Sequence, residues 1–433
     1  MQLVKSVRNI FFIVAVLYAG QPSLFGQDTI TADRVKSILY HLASDSMKGR
    51  GNGRPELLEA ARFISTQFRQ AGLQPFPLEP GYGIAFRPFG GRQLKAKEKL
   101  TWNGSETDPE LFSFYNPEPG TFRALQLGDF EVISADTFFR SGTVLSLPQG
   151  SKPLLVWSSR DIGGASKQNL FDAIEMPQQG LKRPVLLVYA GQAPERVLLE
   201  PLPAYYNTML QYNIIGVLPG KTRPSETILI SAHYDHEGVY SGRKRKDSIL
   251  NGANDNASGT TAMLMLADYF AQRNDNERTL IFCAFSGEEM GLLGSRDFAG
   301  YIVPETVVAG INLEMLGVPQ YGKKKVFVTG YRYSSLPELL EAWLKEAGLK
   351  IMREPDEEKL LFERSDNFSF AKKGIPAHTI MASDDDDKCY HQPCDEAGRI
   401  DTGNLTEIIK AIAKAIQPLV SGEATPGRIG GLR

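Results

Sequence analysis

The chain has 433 residues, of which 42% are hydrophobic, with 48 Lys and Arg against 50 Asp and Glu. That is ample apolar material for a packed core and more length than one ordinary domain needs, so one enlarged domain or two domains is expected. A net charge of −2, with no basic stripe carrying interleaved aromatics, excludes nucleic acid from the expected partners.

In chain order, Lys5 and Arg8 precede the apolar run Ile10 to Gly20, which is short for a bilayer span, and the small polar stretch QPSLFGQ follows. Residues 1–26 therefore read as a secretory signal peptide cleaved after Gly26, with an N-terminal membrane anchor as the competing reading. Cleavage would leave 46 basic against 50 acidic residues. It would also make the protein secreted or periplasmic, without a stable membrane partner, in a compartment that permits disulfides.

Residues 27–94 read as helical. TADRVKSILYHLAS places Val35, Ile38, Leu39 and Leu42 on one face behind the N-cap Thr31. PELLEAARFISTQFRQAG is a second amphipathic helix, opened by Pro55 and stopped by Gly72. Residues 95–205 are richer in Gly, Pro and aromatics and carry short β-type runs, so they read as a β-rich insertion of unknown role. Over 206–420 strands alternate with helices, from NIIGVLPG and ETILISAHYD to the closing helix NLTEIIKAIAKAIQPLV, and 421–433 form a tail. Several strands are continuous apolar runs. The expected fold is a three-layer α/β/α arrangement with a mostly parallel, mixed central sheet. Sites in such sheets form at the carboxyl ends of the strands.

The polar residues gather at those ends. ETILISAHYDHEG runs into His233 and Asp235, an i, i+2 pair on one strand face, with the aspartate placed to orient the histidine. NGANDNASG sets Asp255 before a helix, where capping is the bland alternative. FSGEEMGLLGS supplies adjacent Glu288 and Glu289, which point different ways, or else form an exposed acidic turn. INLEML ends on Glu314, and CYHQPCD presents His391 in a proline turn. His233, Asp255, Glu289, Glu314 and His391 are candidate ligands with nitrogen and oxygen donors and no thiolate. That donor set suits zinc, with cobalt or manganese as substitutes. Of three cysteines, Cys283 reads as buried in a strand, while Cys389 and Cys394 are close enough in sequence to pair.

The segments SAHYDHEG, NGANDNASGTTA, FSGEEMGLLGS, INLEMLG, RSDNFSFAKKGIPA and YHQPCDE resemble, in family order, the secreted zinc aminopeptidases with two co-catalytic metals. Relatives of that family include glutamate carboxypeptidases and glutaminyl cyclases. The resemblance covers about 206–420, with GRGNGRPELLEAARFI similar to the family's N-terminal portion. It implies one zinc on His233, Glu314 and Asp255 and a second on Asp255, Glu289 and His391. Glu288 would be the general base and Asp235 the support of His233. It also implies a cis peptide at Asp255-Asn256. Three departures stand out: Glu314 replaces the family's usual aspartate, Asn254 a common aspartate, and Asn367 a common histidine. The last two are expected to bear on substrate.

The implied activity is hydrolysis of the peptide bond next to a free amino terminus, with peptides as partners. Glutaminyl cyclisation and carboxypeptidase action on the same fold are alternatives, and a non-catalytic peptidase-like binding protein is a third. His236 is expected to face away from His233 as a surface residue or one that supports the ligands, His41 and His378 to be structural, and Asp384 to Asp387 to form a solvated run on the rim of the site. Tyr390 reads equally as a packing residue and as an oxyanion partner. Oligomeric state is not legible in the sequence.

Overall fold

The computed structural model describes residues 29–430 except 79, 87–97, 108–110, 116–123, 136–144, 147–149, 160–173, 176–182, 202–209, 241–246 and 356, and also residue 432. The expected signal peptide lies outside the described residues. Among the described residues no helix is long and apolar enough to cross a membrane.

Helix α1 (Ala32–Leu42) starts where the Thr31 side chain accepts from the Arg34 N–H, and it buries Val35, Ile38, Leu39 and Leu42. Helix α2 (Pro55–Ala71) has its proline in the first turn and ends at Gly72, whose φ of 79° lets the chain reverse. The central sheet has nine strands: β1 (Gln74–Pro75), β2 (Gly83–Phe86), β3 (Gln211–Leu218), β4 (Arg223–His233), β5 (Arg278–Phe285), β6 (Val307–Glu314), β7 (Lys325–Val328), β8 (Lys350–Met352) and β9 (Ala377–Met381). Their order is β1-β3-β5-β4-β6-β9-β7-β8, with β2 also paired to β3. The middle of the sheet is parallel (β5 with β4, β4 with β6, β6 with β9), and antiparallel pairs lie toward its edges.

The two-residue period of the strands divides the core. Ile228, Ile230 and Ala232 of β4 join Leu280, Phe282 and Ala284 of β5 in a large cluster with α1, α2 and the helices α3 (Gly259–Arg273), α5 (Leu336–Glu346) and α7 (Thr402–Ala415). Leu229, Ile281, Cys283 and Phe285 point the other way, onto α4 (Leu293–Ala299) and α6 (Asn367–Ala371). Two helical layers thus enclose one sheet. Helix α3 is buried along almost its whole length because it lies between the sheet and the outer helices. A side chain such as Phe282, fully buried, contributes roughly 1.5–3 kcal/mol through burial alone.

Between β2 and β3 the chain forms two further four-stranded sheets. One orders Phe112–Tyr115, Val185–Tyr189, Leu154–Ser158 and Glu131–Ser134; the other orders Ser105–Glu106, Glu98–Trp102, Val197–Pro201 and Leu125–Gln126. They share a core of their own that includes Leu100, Trp102, Phe112, Leu186 and Leu199.

Candidate metal centre

The parallel strands deliver their C-terminal ends to one edge of the sheet, and the polar residues collect there. β4 ends on His233, next to Phe285 at the end of β5, and the turn after β5 carries Glu288 and Glu289. β6 ends on Glu314, paired in register with Met381 at the end of β9. Asp255 lies on the loop leading into α3. His391 sits in the loop after β9, in a left-handed conformation (φ 53°), and the Cys389–Cys394 disulfide closes that loop.

Among the described residues two groups of side chains bring ligand-capable atoms within 4.8 Å of one another: His233, Glu288 and Glu314, and His236, Asp255, Glu289 and His391. Asp255 joins them. Its Oδ1 is 3.3 Å from His233 Nε2, and its Oδ2 is 3.2 Å from His391 Nε2. Glu289 Oε2 lies 3.1 Å from the same His391 nitrogen. The Nε2 atoms of His233, His236 and His391 are buried without a hydrogen-bond partner among the described residues. Buried polar atoms are almost always satisfied, so three orphaned imidazole nitrogens among converging carboxylates fit a site for divalent cations.

The side chains' own electrostatics say the same. Burial pushes Glu314 up to about 8, reinforced by Asp255, Asp366 and Glu289. Burial also drives Glu288 well above the carboxylate range, with Glu314 and Glu289 adding to it. Burial and Asp255 oppose ionisation of Glu289, yet His236 and His391 hold it at about 2. His391 rises to about 11 because Asp255 and Glu289 outweigh its burial. Carboxylates crowded until their titrations separate mark a place where positive charge is wanted.

The surroundings fix these residues tightly. Asp235 stands beside His233, but its backbone carbonyl is the nearer contact, 3.2 Å from His233 Nδ1, while its Oδ1 is 3.7 Å away. Its carboxylate instead accepts from the backbone N–H of Glu288 and Glu289 and from Asn52 Nδ2 (2.7 Å). Glu314 accepts from Ser365 Oγ and Asn312 Nδ2. The Asp255-Asn256 peptide is cis, and the backbone N–H groups of Asn254 and Asp255 donate to the Asp395 carboxylate at 2.9–3.1 Å. Arg50, fully buried, donates to the carbonyls of Leu42, Tyr234, Asn251 and Gly252 at 2.7–2.9 Å, tying the N-terminal segment to both ligand loops. A cavity of about 330 Å³ opens beside the cluster, lined by Glu237, Met290, Leu361, Arg364, Met381 and Tyr390 among others.

Several expectations need correction. Of the two readings open to His236, the surface one fails: it is fully buried and its Nδ1 lies 2.6 Å from Glu289 Oε1, beside a candidate ligand. The strand ends at His233, so the alternation of faces no longer governs three residues later. Asn254 and Asn367 do not address a substrate. Asn254 bonds Gly317 N, Val318 N and Ser383 Oγ, and Asn367 bonds Phe362 O, Ala377 O and Thr379 Oγ1, so both are consumed by the framework. The aspartate run is not simply solvated. Asp384 is buried and accepts from Gln320, Tyr321 and Lys359, Asp385 pairs with Arg364 and Lys359, and Asp387 pairs with Arg399; Asp386 alone of the four has a mostly exposed side chain. Arg50 and Asp395 escaped sequence reasoning because their partners are distant in the chain. The only local signal was the glycine-rich GRG turn, where a Cβ on Gly49 would lie 2.0 Å from Leu250 O. His378, bonded to Ser334 and Thr329, and His41, against Phe63, serve packing. Tyr390 stacks on His391 with ring centroids 3.9 Å apart.

Comparison with known proteins places this geometry. The chain is 28% identical over 220 residues to a probable leucine aminopeptidase of Trichophyton verrucosum, covering 48% of this chain and 56% of that protein. It is 23% identical over 294 residues to aminopeptidase YwaD of Bacillus subtilis, covering 65% and 60%. The chain thus spans about half the length of such relatives. Its fold matches that of BSAP, a zinc aminopeptidase from Bacillus subtilis, with a TM-score of 0.56 at 17% identity over 92% of this chain and 97% of that one. It also matches Porphyromonas gingivalis glutaminyl cyclase, with a TM-score of 0.52 at 13% identity over 91% and 100%. The family model for peptidase family M28 matches residues 213–416, the segment that carries His233, Asp255, Glu289, Glu314 and His391.

Proposed function

We propose that this protein is a secreted or periplasmic zinc-dependent aminopeptidase that hydrolyses N-terminal peptide bonds. The observation that carries this reading is Asp255, which offers one carboxylate oxygen to each of two ligand groups. His233, Glu314 and Asp255 would hold one zinc, and Asp255, Glu289 and His391 the other. When bound, zinc lowers the pKa of water toward neutrality and polarises a carbonyl oxygen.

The residues then divide the remaining work. Glu288, clustered with His233 and Glu314 and facing the cavity, is placed to take a proton from the attacking water and return it to the leaving amine. Asp235, through the Glu288 and Glu289 N–H groups, sets the turn that presents both carboxylates. Glu237 and Glu363 line the cavity as further carboxylates, which suits a cationic amino terminus, and Met290, Met315, Leu361 and Met381 offer apolar contact to its side chain. The names of the M28 relatives point the same way.

The test is a panel of amino-acid amides, N-blocked peptides and N-terminal glutamine peptides, each with and without a chelator. Hydrolysis of free-amine substrates alone, abolished by chelator and restored by zinc, is expected. Cleavage from the carboxyl end, or cyclisation of glutamine without hydrolysis, would replace the reading.

A further inference from the structure

His236 lies in the second ligand-capable group but outside the two ligand sets assigned above, and it is the most enclosed side chain of the loop-built half of the centre. Its ring packs on Gly252 so closely that a Cβ there would lie 2.5 Å from ring atoms Cγ and Cδ2. Its backbone N–H reaches Arg50 O at 3.4 Å, and its ring stands edge-on to that of His391, with centroids 5.4 Å apart. A buried imidazole held from both sides presents one nitrogen, Nδ1, to Glu289 Oε1 at 2.6 Å.

The distances separate its role from that of its neighbours. His391 Nε2 is 3.2 Å from Asp255 Oδ2 and 3.1 Å from Glu289 Oε2. Ligand atoms about 2.1 Å from one tetrahedral zinc lie about 3.4 Å apart, so this trio is spaced as co-ligands are. The contact of His236 with Glu289 is shorter, at hydrogen-bond length, and it falls on the other carboxylate oxygen. His236 Nδ1 is also 3.8 Å from Asp255 Oδ2, beyond a hydrogen bond.

We propose that His236 is a positioning residue for the second cation. Its Nδ1–H holds Glu289 by Oε1, so that Oε2 stays turned toward His391 and Asp255. In that tautomer Nε2 is a bare lone pair, consistent with a buried nitrogen that donates to nothing among the described residues. Carboxylate ligands held in this way typically lose about 10–100-fold in metal affinity when the holding group is removed. The inference rests on the two-cation reading above and goes beyond it by adding a residue outside the ligand set.

The experiment titrates the metal-free full-length chain with Co2+ by calorimetry and visible absorption. It compares the unaltered protein with His236→Leu and with His236→Asn, whose amide NH2 can stand near the place of Nδ1. The expected result is two Co2+ per chain, with one of the two weakened about 10–100-fold in His236→Leu and largely recovered in His236→Asn. Equal affinities in all three proteins would overturn the positioning role. So would an equal loss in both variants with a changed ligand-field spectrum, which would make His236 a ligand itself. Should His236→Leu fail to fold, His236→Asn and His236→Gln decide. Asn keeps affinity and Gln loses it if Nδ1–H is the working donor, and indistinguishable affinities reject the proposal. An unaltered protein that binds no Co2+ would instead bring down the two-cation reading.

Discussion

His233 and Glu314 are the last residues of β4 and β6, two adjacent parallel strands, whereas His236, Glu289 and His391 sit on loops and Asp255 in the kinked turn Ala253–Ser258. The strand-end pair is placed by sheet register: hydrogen bonds along β4, β5, β6 and β9 set where each side chain emerges. The loop residues have no such ladder, and each is tied down separately. Arg50 holds the carbonyls of both ligand loops, Asp395 holds the Asp255 backbone, the disulfide closes the His391 turn, and the Asp384 and Asp387 contacts anchor that turn to its surroundings. A strand end inherits its position from the core. A loop needs polar clamps, and those clamps come from remote parts of the chain.

Four experiments would break or sharpen that contrast. The largest effect is expected at Glu288, which clusters with the strand-end residues but serves as the base in our reading. Glu288→Gln should lower turnover about 10²–10⁴-fold with bound zinc unchanged. A loss of zinc in metal analysis of the purified variant would make Glu288 a ligand and enlarge the strand-end half.

Next is Arg50→Met, which removes a donor from four buried carbonyls, of which Gly252 O keeps the Ala257 N–H and three lose the one named above. At about 1–3 kcal/mol for each group left unsatisfied, the loss should be at least about 3 kcal/mol in denaturant unfolding. A loss below about 1 kcal/mol would mean the loops do not depend on this clamp. On the two-cation reading, Asp395→Ala should release the Asp255 backbone and weaken retention of the cation assigned to Asp255, Glu289 and His391 by about 10-fold, read as zinc lost during graded chelator dialysis. If both zinc ions leave together, the two halves are not independent.

The smallest effect tests the anchor of the His391 loop. Burial opposes the charge of Asp384, but its bonds from Gln320, Tyr321 and Lys359 hold its carboxyl below the ordinary carboxylate range. A carboxyl with a lowered folded-state pKa stabilises the protein above its unfolded pKa of about 3.9, and that stability is lost as pH falls through the folded value. Asp384→Asn should therefore cost about 1–3 kcal/mol at neutral pH and progressively less below about pH 3, measured by unfolding across that range. A cost that does not vary with pH would assign the effect to packing.

What could be read before the fold was known follows from locality. Apolar periods, the Thr31 cap, the Pro55 start and the Gly72 stop act within a few residues of themselves, so α1, α2 and the strand–helix alternation after residue 206 were legible. The structure also gathers His233, Asp255, Glu289, Glu314 and His391 in one place, because strand ends and the loops after them share an edge in a parallel sheet. Strand order was not legible, since pairing β5 between β3 and β4 depends on contacts far apart in the chain.

The same limit explains the misread residues. The surface reading of His236 held only while β4 was imagined to continue past His233. Asn254 and Asn367 looked free for substrate only while their framework partners were unknown. The four aspartates looked solvated until Lys359, Arg364 and Arg399 were brought to them. Residue type and spacing were enough to specify which groups can bind a cation and which elements carry them. Which nitrogen meets which oxygen, and what holds each loop still, depended on packing between segments up to about 200 residues apart, as with Arg50 and Gly252.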